Sequence, residues 1–269
     1  MQKWLKSTVQ WAWLRMLPRG MRNSLRLWTM LDTPDRAPRL IENFSNGPIL
    51  VLAPHQDDEI IGPGGTVALH TRAGAKVTFV FMTDGSGGNA QNKYNGELPA
   101  IRKAESRAAA ELIGVRELIF LDGPDGALED TPEMVGKLVT LLEECRPAVV
   151  YLPAPSDGHR DHWATNRVFR AALRQVSQTI FKNLIVRGYE VWTPLLANRM
   201  ADIASVIEVK KKAIDVFVSQ TQSVDYARTA VGLSQYRSMA LLAGRGFVEA
   251  FQEVTAAEYC ALFDATSLK

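Results

Sequence analysis

Cysteine is scarce in this sequence, with only Cys145 and Cys260 among 269 residues. The two lie far apart and match no metal-binding spacing, which argues against a disulfide framework and suits a reducing compartment. A metal site would therefore have to use histidine and carboxylate ligands.

The sequence also lacks an apolar run of about 18 residues, so no segment is expected to span a bilayer. Arg15 and Arg19 interrupt the apolar stretch that a signal peptide needs. We therefore expect a cytoplasmic globular protein.

Acidic residues are absent from residues 1–30, which contain six basic residues and four of the six tryptophans. We interpret residues 1–40 as a basic, tryptophan-rich helical arm, and residues 41–269 as a single domain with a C-terminal elaboration. Two interpretations of the arm stay open. It packs on the body or on a second copy of the chain, as in a homo-oligomer, or its residues 1–30 make peripheral contact with the inner face of the membrane. No nucleic-acid partner is expected, because no nucleic-acid motif accompanies the basic residues.

Near-continuous apolar runs alternate with helical stretches in the body of the chain. We predict buried strands from four runs: ILVLAP (49–54), KVTFVFMTDG (76–85), RELIFLDG (116–123) and AVVYLPAP (148–155). Helical stretches lie between them, at 64–74, 98–114 and 131–145, and Thr131 is the expected N-cap of the last. This alternation predicts a Rossmann-like, doubly wound α/β fold, with a mostly parallel sheet and helices on both faces.

Two polar clusters follow predicted strands. His55 and three successive acids at 57–59 follow the first strand, and SDGHRDH, with His159 and His162, follows the fourth. In a doubly wound fold the ligand site lies outside the carboxyl ends of the strands, so both clusters should reach it. Singly, each has a bland explanation, as a structural histidine or as acids at a helix start. Jointly, histidines and carboxylates form the usual ligand set of a catalytic zinc, and they also accept iron(II).

Several motifs together resemble the LmbE/PIG-L family of zinc-dependent N-deacetylases. They are AxHxDDE after the first strand, GG shortly after it, TDG at the end of the second strand, RKAESRAAAELIG, and HRDH after the fourth strand. The resemblance runs from about residue 48 to 255. Gln56 and Arg160 stand where the family usually has proline, which bears on loop conformation and touches no chemical group.

The resemblance implies a metal site and a base. His55, Asp58 and His162 would hold the metal, and Asp57 would be the general base toward a zinc-activated water. The activity implied is deacetylation of an N-acetylamino sugar of the N-acetylglucosaminyl type, in glycoconjugate or polysaccharide biosynthesis. The substrate would be a small molecule or a lipid-linked amino sugar.

The same resemblance implies that His159 stabilises the developing oxyanion as an imidazolium, with Asp161 orienting it and tuning its pKa. The remaining histidine, His70, lies in a helical stretch, and we interpret it as an ordinary helix side chain.

Three further residues are candidates for substrate binding, each with an alternative. Asp84 either lines the site or caps the following turn. Asp125 either accepts hydrogen bonds from sugar hydroxyls or belongs to a turn. Arg102 either contacts substrate or is an exposed helix arginine that pairs with Glu105 or Ser106.

Two other functions compete with the deacetylase. One is a magnesium-dependent phosphoryl-transfer site built on Asp57 and Asp58, in which the histidines of HRDH would have no obvious role. The other is a catalytically silent sugar-binding or scaffold subunit, for which loss of a ligand or base would be the expected sign.

Overall fold

The structure, a computed structural model, describes residues 37–45, 47–87, 94, 96–222 and 224–264. Its strands are β1 Arg39–Leu40, β2 Ile49–Ala53, β3 Val77–Thr83, β4 Glu117–Gly123, β5 Val149–Pro153, β6 Ile185–Tyr189, β7 Arg199–Asp202 and β8 Val248–Thr255. Its α-helices are α1 Asp58–Ile61, α2 Gly64–Arg72, α3 Leu98–Leu112, α4 Pro132–Cys145, α5 Arg160–Leu173, α6 Gln178–Asn183, α7 Ile207–Asp215, α8 Val218–Thr221, α9 Tyr226–Arg237, α10 Met239–Leu242 and α11 Ala256–Asp264. A 3-10 turn over Ala204–Val206 precedes α7.

The strands form one eight-stranded sheet in the order β1-β7-β8-β6-β5-β2-β3-β4. Every pairing is parallel except those of β8, which runs antiparallel to β6 and β7. The predicted doubly wound, mostly parallel fold is confirmed. The chain beyond residue 165 adds β6, β7 and β8 to the same sheet.

The chain changes direction across the sheet between β2 and β5. These two strands pair in parallel at the centre, with Ile49 opposite Val149. From β2 the chain continues to β3 and β4 on one side, whereas β5 leads to β6 on the other. Such a switch point leaves a crevice at the carboxyl ends of the two strands, where ligands bind in folds of this class. His55 follows β2 and His159 follows β5, so both polar clusters lie at this crevice.

The core lies on both faces of the sheet, because successive strand residues point to opposite sides. Val51, Phe79 and Phe81 pack on one face, and Leu52 and Val80 belong to the cluster on the other. Strands covered on both faces need apolar side chains at nearly every position, which explains the continuous apolar runs of the sequence.

The helix that was predicted to start after Thr131 does so. The Thr131 hydroxyl accepts a hydrogen bond from the Met134 backbone N–H at 3.2 Å, as expected of an N-cap.

Most of the predicted N-terminal arm, residues 1–36, lies outside the described residues. The part that is described is not helical: Arg39–Leu40 is a two-residue edge strand parallel to β7. Among the helices of the described ranges, none combines the length and the apolar character needed to cross a membrane.

Candidate active site

A tight turn joins β2 to α1 and carries the three successive acids into the crevice. Asp57, the residue just before α1, has a φ of 129°, which is rare for a residue other than glycine. Its backbone N–H donates to a Glu59 carboxylate oxygen at 2.9 Å, and its carbonyl accepts the N–H of Ile60 at 3.0 Å. Backbone held in such a conformation stores strain, and this is common at functional sites.

The three acids avoid mutual repulsion because they do not ionise alike. Burial raises the pKa of Asp57 to about 7, against the opposing charge of Arg102. Burial also raises the pKa of Glu59 well above its usual value. Burial opposes ionisation of Asp58 too, but the facing imidazoles, His162 foremost, outweigh it and hold the pKa of Asp58 below its ordinary value. Of the three successive acids, Asp58 is therefore the one that carries a full negative charge.

Three of the predicted metal-binding atoms converge. Asp58 Oδ2 lies 3.1 Å from His55 Nδ1 and 3.3 Å from His162 Nε2. One ring nitrogen from each of His55, His162 and His159 also lies within 4.8 Å of the other two. The structure thus brings together the residues that the sequence assigned to the metal, although they come from the ends of two different strands.

The second nitrogen of each metal-facing histidine is turned toward another carboxylate. His55 Nε2 lies 3.1 Å from Asp161, and His162 Nδ1 lies 3.2 Å from Asp157. A carboxylate behind a ligating histidine fixes the ring and its tautomer, and this is the usual arrangement around metals in proteins. Asp157 was missed in the sequence, although it lies in the same SDGHRDH cluster and its spacing could have signalled it.

The contacts of Asp161 differ in part from its predicted role. Its carboxylate contacts His55 and accepts the backbone N–H groups of Gly126 and Leu128 at 2.7 and 3.1 Å, while its charge acts on His159 in the predicted sense, raising the pKa of that ring. The reason is geometric, because Asp161 lies in the first turn of α5 and faces the loop after β4.

The donor set fits a divalent cation. His162 is fully buried, and neither of its ring nitrogens has a hydrogen-bond partner of acceptable geometry. Burial disfavours a charged imidazole, yet Asp58 and Asp157 raise the pKa of His162 to about 9. Asp58 and Asp157 therefore favour a positive charge at the position of His162. A divalent cation held by neutral imidazoles would supply it and would give a partner to His162 Nε2, the nitrogen that faces Asp58.

His159 sits at the rim of this cluster. Its Nδ1 accepts the backbone N–H of Asp161 at 3.2 Å, which leaves Nε2 to carry the proton in the neutral ring. Burial lowers the pKa of His159, and so do the charges of His55 and His162. A neutral ring in this geometry would donate through Nε2, and the imidazolium role implied by the resemblance stays a prediction.

Arg102 and Asp125 form one wall of the site. Arg102 is buried, and its guanidinium donates to the Gln56 carbonyl at 2.7 Å and lies 3.6 Å from Asp57. The alternative of an exposed arginine paired with Glu105 or Ser106 is wrong, because Arg102 is buried. Glu105 instead accepts from Ser219, and Ser106 donates to the backbone carbonyl of Arg102 at 2.9 Å. Asp125 accepts the Gly87 N–H at 3.0 Å and lies 3.4 Å from His55 Nε2.

Asp84 does not join these residues. Its carboxylate accepts the Ser86 backbone N–H at 2.9 Å, which is the turn-capping alternative. Gln56, at the position where the family usually has proline, donates from its side chain to the Thr83 carbonyl at 3.0 Å. The loop after β2 is thereby tied to the end of β3.

A pocket of about 190 Å³ opens over the cluster. His55, Asp57, Arg102 and Asp125 line its polar side. The other side is formed by residues that the sequence analysis missed: Ile61, Val191, Trp192, Gln220 and Tyr226. Most of these lie in the C-terminal part of the chain, and the sequence analysis assigned none of them a role in the site. The Trp192 indole is 58% exposed and lies nearly parallel to the His159 ring, with centroids 6.3 Å apart.

A side chain of the protein itself binds the free backbone N–H groups at the glycine-rich start of α2. The backbone N–H groups of Gly65 and Thr66 each donate to the Glu249 carboxylate at 2.7 Å. Lys210 neutralises Glu249 at 2.6 Å and donates to the carbonyls of Ile61 and Gly62. This helix start therefore holds an internal carboxylate where a phosphate-binding loop would hold its ligand.

His70 lies apart from the site and is fully buried. Its Nδ1 lies 2.5 Å from the Phe44 carbonyl and its Nε2 lies 2.9 Å from the Tyr151 hydroxyl. Burial lowers the pKa of His70 to about 4, so a neutral ring serves this hydrogen-bonding role.

Comparison with known proteins agrees with this geometry. Residues 50–173 match the family described as PIG-L, GlcNAc-PI de-N-acetylase. A diacetylchitobiose deacetylase of Thermococcus kodakarensis is 30% identical over 185 residues, covering 64% of this chain and 69% of the relative. A probable N-acetyl-alpha-D-glucosaminyl L-malate deacetylase 2 of Bacillus cereus is 36% identical over 189 residues, covering 65% and 84%. The chain belongs to the PIG-L family.

A solved structure supports the same placement. The N,N'-diacetylchitobiose deacetylase of Pyrococcus horikoshii superposes with a TM-score of 0.69 and 26% identity, covering 79% of this chain and 85% of the other. Its coverage exceeds residues 50–173, so the likeness includes parts of the C-terminal elaboration.

Proposed function

We propose that this chain is a metal-dependent N-deacetylase, which hydrolyses the acetamide of an N-acetylglucosaminyl-type amino sugar and releases acetate and a free amine. The observation that carries the proposal is the convergence of His55, Asp58 and His162 beside the buried Asp57, whose backbone has a positive φ. The names of its relatives, which are deacetylases of chitobiose and of a glucosaminyl malate, support the amino-sugar substrate.

His55, Asp58 and His162 would hold the metal, for which we propose zinc. Bound there, zinc would act as a Lewis acid on the amide carbonyl and on the attacking water. The protein orients its own ligands: Asp161 and Asp157 hold the far sides of the two imidazoles.

Asp57 is suited to move protons in both directions. A carboxyl group with a pKa near 7 can take a proton from water and later return it to the departing amine. Its position next to Asp58 keeps it within the same pocket without making it part of the converging ligand set. His159, with its Nε2–H free to donate, is suited to stabilise the negative charge that develops on the carbonyl oxygen.

The two competing functions are less well supported. The Mg²⁺ phosphoryl-transfer alternative leaves the histidines without a role and would have to displace Glu249 to use the start of α2. A silent scaffold would not be expected to retain a raised-pKa base next to an intact ligand set.

The direct test is Asp57→Asn, with acetate release measured on a panel of N-acetylglucosaminyl compounds. Asparagine keeps the volume and tolerates positive φ, but it cannot accept a proton. We expect a fall in kcat of about 100-fold or more, with the metal content unchanged. Near-normal turnover would remove Asp57 as the base. Loss of metal together with loss of activity would assign Asp57 to the metal instead.

A further inference from the structure

A second cavity, of about 340 Å³, adjoins the pocket over the metal-facing residues. Ile61, Val191, Trp192 and Tyr226 line both cavities. A sugar bound in the smaller pocket would therefore have this cavity as its neighbour, on the side away from Arg102 and Asp125. The volume lies within the range of about 300–1,000 Å³ typical of small-molecule sites.

The surface of this second cavity is mainly apolar. Besides the four shared residues, its walls include Val224, Leu233, Val248, Ala250 and Pro194. These side chains offer carbon atoms rather than hydrogen-bonding groups. A second sugar ring would leave several hydroxyls without partners there, which costs free energy on burial.

The charged residues that line the cavity are already engaged within the protein. Lys210 is nearly fully buried and binds Glu249 and two backbone carbonyls. Glu190 accepts from Arg237 and from the backbone N–H of Leu195. None of these charges is left to bind a phosphate or a carboxylate.

The two aliphatic hydroxyl groups of α9 that line the cavity are engaged as well. Ser234 donates to the Ala230 carbonyl at 2.9 Å, and Thr229 donates to the Asp225 carbonyl at 3.2 Å. A ligand in this cavity would therefore be held by the fit of its shape and by apolar contacts. The walls of the cavity offer it few further hydrogen bonds.

Building on the deacetylase function proposed above, we infer that this cavity binds an alkyl chain on the aglycone of the substrate, so that the enzyme acts on amphiphilic N-acetylglucosaminides. The chain is assigned to the aglycone because the acyl group of a deacetylase substrate has only two carbons. The polar wall of Arg102 and Asp125 then faces the sugar, and the apolar wall of Trp192 and Tyr226 leads to the alkyl chain.

The test compares methyl and octyl N-acetylglucosaminides, each as both anomers and below the micellar concentration. We expect kcat/KM for acetate release to be at least about tenfold higher for the octyl compounds, because burial of the chain removes apolar surface from water. Equal values would overturn the inference. A larger gain with N,N'-diacetylchitobiose, or with methyl N-octanoylglucosaminide, would overturn it in favour of a second sugar or a long acyl group.

Two matched pairs of variants locate the effect. Leu233→Trp fills the cavity and should reduce the octyl-to-methyl ratio about tenfold or more. Gln235→Trp, on the exposed side of the same helix, should keep the wild-type ratio. If Leu233→Trp does not fold, Val224→Asp places a charge at an exposed wall position, with the exposed Val218→Asp as its control. A ratio unchanged in a folded cavity variant would contradict the proposed site.

Product binding separates this inference from the proposed function. Calorimetry with methyl and octyl glucosaminides, which carry the free amine, needs no turnover. Absence of acetate release from every compound would refute the deacetylase function. Equal affinities of the methyl and octyl amines would refute the alkyl site, whatever the activity.

Discussion

Asp157 illustrates how a residue outside the metal ligand set can control the site. Its Oδ1 lies 3.2 Å from His162 Nδ1 and accepts the His159 backbone N–H, while its Oδ2 accepts the backbone N–H of Trp192 at 2.9 Å. One carboxylate thus contacts a histidine of the proposed metal site, the start of the His159 helix and the backbone of a residue that borders the pocket. Its pKa is held below the ordinary value: burial opposes this shift, but the contact with His162 outweighs it.

Asp157→Asn should therefore weaken metal binding without removing a ligand. We expect zinc affinity, measured by competition with a chelator, to fall about 10- to 100-fold, because the charge behind His162 is lost. Saturating zinc should restore much of the activity. Asp225→Asn is the matched control, since Asp225 also accepts backbone N–H at a helix start but contacts no histidine in the described structure. The same affinity in both variants would mean that Asp157 has only a loop-holding role.

At the scale of elements, the start of α2 shows why a glycine pair follows the acidic motif. A Cβ on Gly65 would lie 2.9 Å from Glu249 Oε1 and 2.9 Å from two carbons of Ile203. Glycine lets the helix start approach β8 closely enough for its N–H groups to bind the Glu249 carboxylate. The same contact joins α2 to Lys210 of α7, so one glycine position holds three elements together.

Gly65→Ala should consequently destabilise the protein by about 1–3 kcal/mol, because the methyl group has no space. Gly136→Ala is the control: Gly136 lies inside α4, and a Cβ there meets nothing within 4 Å. That substitution should stabilise the protein by about 0.5–1 kcal/mol, since glycine is a poor helix former. Urea unfolding of the two variants beside wild type measures both effects. Equal shifts in the same direction would contradict the packing role of Gly65.

At the scale of the whole molecule, the sequence was informative where structure depends on local pattern. Apolar runs in the sequence predicted β2 to β5, because buried strands follow from hydrophobic periodicity. The ends of these strands then predicted the position of the crevice, because it follows from the geometry of parallel sheets. Contacts between distant segments were not accessible in this way. The partner of Asp161 depends on where the loop at Gly126 lies, and the carboxylate that caps Gly65 comes from Glu249, 184 positions along the chain. The short strand β7 and the antiparallel β8 likewise depend on pairing that no local pattern indicates.

The metal-facing residues connect the two halves of the sheet, and this has a consequence for global stability. His55 and Asp58 follow β2, whereas His162 follows β5, so a cation held by all three binds only the folded chain. Zinc at about 100 times its dissociation constant should add about 2.7 kcal/mol, which corresponds to a rise in Tm of about 5–10 °C for a domain of this size. A chelator should reverse the rise.

Asp58→Asn and Asp57→Asn, which keep the size of the side chain, can show which of the two carboxylates is needed for the stabilisation by zinc. Asp58→Asn should abolish the zinc-dependent rise in Tm, because Asp58 Oδ2 is the point where the two imidazoles converge. Asp57→Asn should keep the rise while losing activity, since the role proposed for Asp57 is proton transfer and not metal binding. Thermal unfolding with and without zinc distinguishes the two. If Asp57→Asn lost the rise and Asp58→Asn kept it, the roles of ligand and base would be exchanged, although the two halves of the sheet would still be joined through the metal.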